Sequence, residues 1–344
     1  MSIFDRKKQH LRVALKLIAQ RSGVSDWDQF RFVNNCFPEV AANDVDLSVD
    51  FCGHKLELPL LIGSMSGGVN YAGKMNRALV DLAAEFGLGF ASGSIRILAR
   101  NPKCVVDFDL KDRLGSLPYF LNVGAAQLVD PDFLTWFVGM VKRLRADFIF
   151  VHLNATQELF QNRGDQQYVG FKDALKLAIA KLPVPVFLKE VGHGLPISTM
   201  QEFDQLVSGF DLAGRGGLSF AEVEAYQNGS ADLLHLAKQF GVSTIELLAA
   251  LDGVGLKGKI IAGGSLWYAA DLIKALALGA DLGAMASRFL WEYERGGHKG
   301  LRNFMENYRQ ELRLGLAALG VVNLSELRQQ GQKLIIKSSG ENLR

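Results

Sequence analysis

What this 344-residue sequence has little of narrows its identity first. Its three cysteines (Cys36, Cys52 and Cys104) are odd in number and lack metal-type spacing. A disulfide scaffold and a cysteine zinc site are therefore both disfavoured, and a reducing, cytoplasmic setting is expected. No apolar run reaches the roughly 18 residues of a membrane span. The opening MSIFDRKKQH is charged and lacks the apolar segment of a signal peptide. Excess charge is also missing: 38 basic residues face 36 acidic ones, a net of +2. Nothing global recommends a nucleic acid or an anionic membrane as partner, so any anion must be bound by a local cluster. There is no proline-rich linker and no low-complexity tract.

Glycine is plentiful, at 36 residues, and its placement is orderly. It follows short apolar runs in LPLLIGSMSGG (58–68), FGLGFASGSIR (86–96) and PYFLNVGAAQL (118–128), while ADFIFVHLNATQE (146–158) ends in a polar loop instead. VPVFLKEVGHG (184–194), LVSGFDLAGRGG (206–217), GKIIAGGS (258–265) and GADLGAMAS (279–287) continue the pattern. Between them, Lys74–Glu85, Phe171–Lys181 and Tyr268–Leu278 carry apolar residues at helical spacing. Eight strands alternating with helices imply a parallel sheet, and about 230 residues suit a closed (β/α)₈ TIM barrel. A doubly wound open sheet is the alternative, but it rarely needs eight repeats. The expected organisation is a single domain. Residues 1–57 form an N-terminal extension with a helix over Arg6–Ala19, the barrel runs from about 58 to 290, and C-terminal helices occupy 291–344. Two further helices are expected in the long connection 218–257, over Ala231–Phe240 and Ser243–Leu251.

The polar and glycine-rich groups gather at the carboxyl ends of the strands, where barrels of this kind build their sites. SMSGG, GRGG and AGGS are each no more than a tight turn when taken alone. The loops after strands seven and eight, however, are the usual phosphate cradle of the fold. Lys189 ends an apolar strand, which is costly unless it meets an anion or reaches water. Glu190 falls on the opposite face and suits a structural ion pair. Asn122 is either a turn former or a reader of a heterocycle edge. Arg96 is either a phosphate fork or a surface arginine. In HLNATQE, His152 and Asn154 share a face, with Gln157 and Glu158 just beyond. Asn154 or Thr156 could simply cap a helix with Glu158 near its positive end. That leaves half the cluster unexplained, whereas a carboxylate beside phosphate-binding loops suits Mg²⁺.

These motifs together resemble the type 2, FMN-dependent isopentenyl-diphosphate isomerase family. HLNATQE resembles its H-L-N-x-x-Q-E and RKKQH (6–10) its R-K-x-x-H. SMSGG, GSIR and KEVGHG resemble its M-T-G-G, G-S-Q-R and K-E-V-G-x-G. The resemblance implies interconversion of isopentenyl and dimethylallyl diphosphate by reduced FMN with Mg²⁺, NADPH serving as reductant. It implies that Met65, Ser66, Gly67, Ser94, Asn122 and Lys189 contact the flavin, joined by Gly217 and Ser219. Gly263, Gly264, Ala286 and Ser287 would cradle its phosphate. Arg6, Lys7, His10, Arg96, His152 and Asn154 would hold the substrate, Glu158 would bind Mg²⁺, and Gln157 would sit at the reacting carbons as the catalytic residue. A homo-oligomer, tetrameric or larger, is implied as well. Three positions depart from the pattern: Ile95 replaces a glutamine, Leu218 a threonine or serine, and AGGSLW a run containing arginine. A hydroxy-acid oxidase, with His193 as base and Arg215 as carboxylate fork, is the rival chemistry. A relative that has lost flavin binding is the third.

Overall fold

The computed structural model describes residues 12–19, 25–65, 70–161, 164 and 167–337. Eight parallel strands close into a barrel. In chain order they are β1 (Leu60–Ile62), β2 (Gly89–Ser94), β3 (Tyr119–Gly124) and β4 (Phe148–His152). They continue as β5 (Val186–Lys189), β6 (Gly209–Asp211), β7 (Lys259–Gly263) and β8 (Leu282–Met285). Each pairs with its sequence neighbours, and β8 pairs with β1 to complete the ring. All eight expected strands are present, and the open-sheet alternative is overturned by the β8–β1 pairing.

Alternation along the strands sorts the side chains into two cores. Leu61, Ala91, Phe120, Phe148, Phe150, Phe187, Ile261, Leu282 and Ala284 pack inside the barrel. Leu60, Ile62, Leu121, Ile149, Val151, Leu188 and Phe210 face the surrounding helices. Strands buried on both faces must be apolar at nearly every position, which is why they read as short apolar runs.

The amino-terminal end of the barrel is sealed by a hairpin from the extension, Val49–Phe51 against His54–Leu56. Its turn places Cys52 and Gly53 at φ 52° and 84°, the two left-handed positions that a tight hairpin turn demands. Phe51 thereby enters the barrel, its ring centroid 5.7 Å from that of Phe187.

The expected helices appear with trimmed or extended ends: Asn70–Phe86, Phe171–Ile179, Ala231–Ala237, Thr244–Ala250 and Ala269–Ala277. Of the helix expected over Arg6–Ala19, residues 12–19 are helical and the rest lies outside the described residues. The carboxyl-terminal region departs from an all-helical reading. Its long helix Ser287–Ala318 is broken at Gly297, and Ile335–Lys337 forms a strand antiparallel to Phe30–Phe32. That pairing joins segments three hundred residues apart and has no local signature.

Candidate active site

The inward residues become polar as the strands approach their carboxyl ends. Asn122 on β3, His152 on β4, Lys189 on β5 and Asp211 on β6 follow one another around the rim, with His152 paired to Lys189 and Lys189 to Asp211 in register. They line a cavity at this end of the barrel, together with the loops that follow each strand.

The groups hold one another in place. Asn122 donates to the Ser64 hydroxyl at 2.9 Å, and its amide oxygen lies 2.7 Å from His152 Nδ1. That oxygen only accepts, so His152 donates from Nδ1 and leaves Nε2 as the unprotonated nitrogen. Burial, then the charges of Lys189 and Arg96, push the His152 pKa down to about 3. The imidazole is therefore neutral at physiological pH. Lys189 donates to the Glu190 carbonyl at 2.7 Å and sits 3.5 Å from the Asp211 carboxylate. It points into the barrel mouth with its side chain only 11% exposed, which removes the solvent-reaching alternative. Glu190 faces away and accepts from the Val191 and His193 N–H groups, so backbone hydrogen bonds stand where an ion pair was expected. Arg96 is half-buried and lines the cavity, so it is not a free surface arginine.

HLNATQE resolves into two layers. Asn154 occupies the cap position of helix Ala155–Phe160, yet its side chain makes no capping bond. Its amide instead donates to Glu158 Oε1 at 3.0 Å and to Gln157 Oε1 at 3.3 Å. Gln157 in turn donates to Glu224 Oε1 at 3.1 Å. The helix-cap account of this segment thus fails for Asn154, and its side chain orients the next two residues. Both Gln157 and Glu158 line the cavity, and Glu158 is buried.

The glycine loops form the other wall. Gly217, Gly263, Gly264, Ala286 and Ser287 line the cavity, as do Met65 and Ser94. Gly264 has φ +95°, and a Cβ there would come within 2.4 Å of the Gly214 backbone. Only glycine lets these loops meet. Thr244 ties them, donating to the Gly263 carbonyl at 2.6 Å and accepting from the Gly214 N–H at 3.1 Å. Ser287 opens the helix Ser287–Ala318, whose first N–H groups lack intrahelical partners. A loop of close-packed glycines beside a helix start fits the phosphate of FMN. Among the described residues no cluster of three or more histidine, cysteine or acidic side chains could hold a metal by itself. A single buried carboxylate such as Glu158 fits Mg²⁺ if a diphosphate supplies other oxygens.

Not every expected residue is at the site. Ser219 does not line the cavity; it is buried as the cap of helix Phe220–Gln227, accepts from the Glu222 N–H at 3.2 Å and meets His193 Nε2 at 3.0 Å. A serine two residues beyond a glycine pair is also an ordinary helix start, and here that property prevails. Ser66, Gly67, Arg6, Lys7 and His10 lie outside the described residues. Asp211 and Glu224 went unnoticed in the sequence. Parity marks Asp211, which takes the same inward position on β6 that Lys189 takes on β5. Glu224 carries no such signal.

Residues 237–333 match the family model described as FMN-dependent dehydrogenase. Solved structures share the fold: a mutant flavocytochrome b2 superposes with a TM-score of 0.65 at 17% identity, covering 97% of this chain and 84% of that one. An (S)-mandelate dehydrogenase chimera gives 0.62 at 16% identity, covering 96% and 99%. Sequence relatives are much nearer. An isopentenyl-diphosphate delta-isomerase from Nostoc sp. is 34% identical over 332 residues, 95% of each chain. One from Rickettsia felis is 32% identical over 293 residues, covering 83% of this chain and 84% of its own. End-to-end identity at this level, on an FMN-type barrel whose mouth gathers the HLNATQE side chains, places the chain in the type 2 isopentenyl-diphosphate delta-isomerase family.

Proposed function

We propose that this protein interconverts isopentenyl diphosphate and dimethylallyl diphosphate, using reduced FMN and Mg²⁺, with NADPH as the reductant. The observation that carries the reading is that Asn154, Gln157 and Glu158 line the cavity together with the glycine loops and are tied to one another, Gln157 being held from behind by Glu224.

Moving an unactivated double bond requires a proton to arrive at one carbon and another to leave, through a cation-like state. The Gln157 amide is no acid or base, the neutral His152 has a pKa far below neutrality, Lys189 and Asp211 are engaged with each other, and Glu158 is taken for the metal. Reduced FMN supplies an acid/base nitrogen edge and an electron-rich ring that favours neighbouring positive charge. The chain's own residues bind, orient and dry the site. Gly263, Gly264, Ala286 and Ser287 would hold the flavin phosphate, with Met65, Ser94, Asn122 and Lys189 toward its ring. Arg96 and His152 would take the substrate diphosphate, and Glu158 would hold the Mg²⁺ that offsets its charge. Gln157, held by Asn154 and Glu224, would fix the alkene against the ring. A cytoplasmic location and a homo-oligomer, tetrameric or larger, belong to the same proposal.

The oxidase reading is less well supported, because its two key groups are misplaced. His193 is buried against Ser219, Arg215 is exposed, and neither lines the cavity. The test is direct. Purified protein should be yellow, and anaerobic reduction in the presence of Mg²⁺ should start conversion of isopentenyl diphosphate to its isomer. Equal rates with oxidised flavin or with apoprotein would refute the proposal, and turnover of a 2-hydroxy acid with oxygen would reinstate the rival. Failure to take up flavin at all would favour a degenerate relative.

A further inference from the structure

A residue of the N-terminal extension reaches the proposed phosphate loop. Ser25 caps the short helical turn Asp26–Gln29, and this turn buries Trp27 completely. The indole Nε1 of Trp27 donates to the Ser265 hydroxyl at 3.0 Å, across 238 positions of sequence. The Trp27 carbonyl accepts from the buried ammonium of Lys274 at 2.8 Å, which anchors the turn from its other side. The Asp271 carboxylate secures the far end of the loop by accepting from the Trp267 and Tyr268 N–H groups, both at 2.9 Å. Between these anchors Ser265 lines the cavity with φ +52°, a left-handed conformation that costs a non-glycine residue energy.

The chemistry of this hydrogen bond sets a direction. An indole N–H only donates, so the Ser265 oxygen is committed as acceptor toward Trp27 and its own proton must go elsewhere. Among the described residues no acceptor takes that proton. We infer that Ser265 donates its hydroxyl proton to the phosphate of the bound flavin, and that Trp27 is the positioning residue that enforces this polarity. The assignment rests on the FMN reading and gives the loop a side-chain donor beyond its backbone N–H groups. It also offers a physical reason for a strained serine at this point, because a glycine would be relaxed there but would lack the donor.

The test exploits riboflavin, which has the flavin ring but no phosphate. The full-length chain, stripped of flavin, is titrated with FMN and with riboflavin while flavin fluorescence is followed, for the wild type, Ser265→Ala and Trp27→Phe. Loss of a hydrogen bond to a charged group should weaken FMN binding by about tenfold or more in Ser265→Ala. Trp27→Phe should weaken it by about threefold through lost orientation alone. Riboflavin affinity should stay within about twofold of wild type in both, since the lost contact is to phosphate. Unchanged FMN affinity in Ser265→Ala overturns the inference while leaving the flavin reading intact. Equal weakening of both flavins would make the contact merely structural and overturns it as well. A wild type that binds neither flavin refutes the flavin reading itself, and the inference with it. Ser265→Ala alone decides the matter if Trp27→Phe fails to fold.

Discussion

The two ends of the barrel are built from the same strands, yet they are chemically opposite. At the amino-terminal end Phe51, Phe120, Phe148 and Phe187 fill the interior; the Phe120 and Phe148 rings stack at 4.7 Å and those of Phe120 and Phe150 at 4.6 Å. A few residues further along the same inward faces stand Asn122, His152, Lys189 and Asp211. The interior of the first end is held by burial of aromatic area, and its charged groups, Asp147 and Asp281, stay at the strand starts, where they accept from Lys111 and the Tyr119 N–H and from Lys259 and the Ile260 N–H. The second buries polar groups that are costly unless partnered, and each named one has its partner within the rim. Aromatic packing holds the interior of one end, and hydrogen bonds among buried polar groups hold the other.

Substitutions at each end should separate these roles. The largest effect is expected at the closed end. Phe120→Ala should lower unfolding free energy by about 3–5 kcal/mol in denaturant titration, because its neighbours cannot collapse into the space. A loss below about 1 kcal/mol would show that the aromatic layer is not the anchor it resembles. At the open end, Gln157→Asn should cut isomerase turnover by about a hundredfold, or roughly 2.7 kcal/mol in the barrier. The shorter amide cannot span Asn154 and Glu224, and the unfolding midpoint should barely move. A variant as active as wild type would remove Gln157 from the reaction.

His152 allows a comparison within the open end. Its folded pKa is depressed below the unfolded value, so between about pH 6.5 and 3 the unfolded chain binds the extra proton. The His152 contribution is therefore fully present above pH 6.5 and is lost as pH falls through that window. The loss reaches about 2 kcal/mol by pH 5. His152→Gln should flatten the acid limb of the stability profile between pH 6.5 and 4. A limb parallel to wild type would mean that the ring is not buried neutral. The smallest effect is expected outside the barrel, where Arg145 holds Asp112 at 2.7 Å on an exposed surface. Asp112→Asn should leave the unfolding midpoint unchanged within measurement error, since solvent screens that pair. A clear loss would mean that surface charge matters here more than the barrel ends suggest.

Much of the molecule was legible without coordinates, for reasons that are local. A strand buried on both faces must be apolar, and a chain that turns sharply at a strand end favours glycine. The eight runs from LPLLIG to GADLGAM therefore announce the barrel, and Lys189, Asn122 and HLNATQE announce its mouth. Ser219 shows where locality misleads, because a serine after a glycine pair serves a helix cap as readily as a cofactor. The helix cap that Asn154 could have supplied is not formed: its amide N–H groups donate to Glu158 and Gln157, and its oxygen accepts from no backbone N–H of the helix.

The sequence by itself determined the fold class, the end of the barrel that carries polar chemistry, and most side chains in the cavity wall, because these follow from periodicity and the conformational demands of single residues. Tertiary structure alone decided which groups bind each other. Gln157 meets Glu224 across 67 positions, Trp27 meets Ser265 across 238, and Phe30–Phe32 pairs with the strand Ile335–Lys337. Such contacts leave no local trace, since their free energy exists only once closure of the barrel has brought distant loops to one rim and excluded water between them.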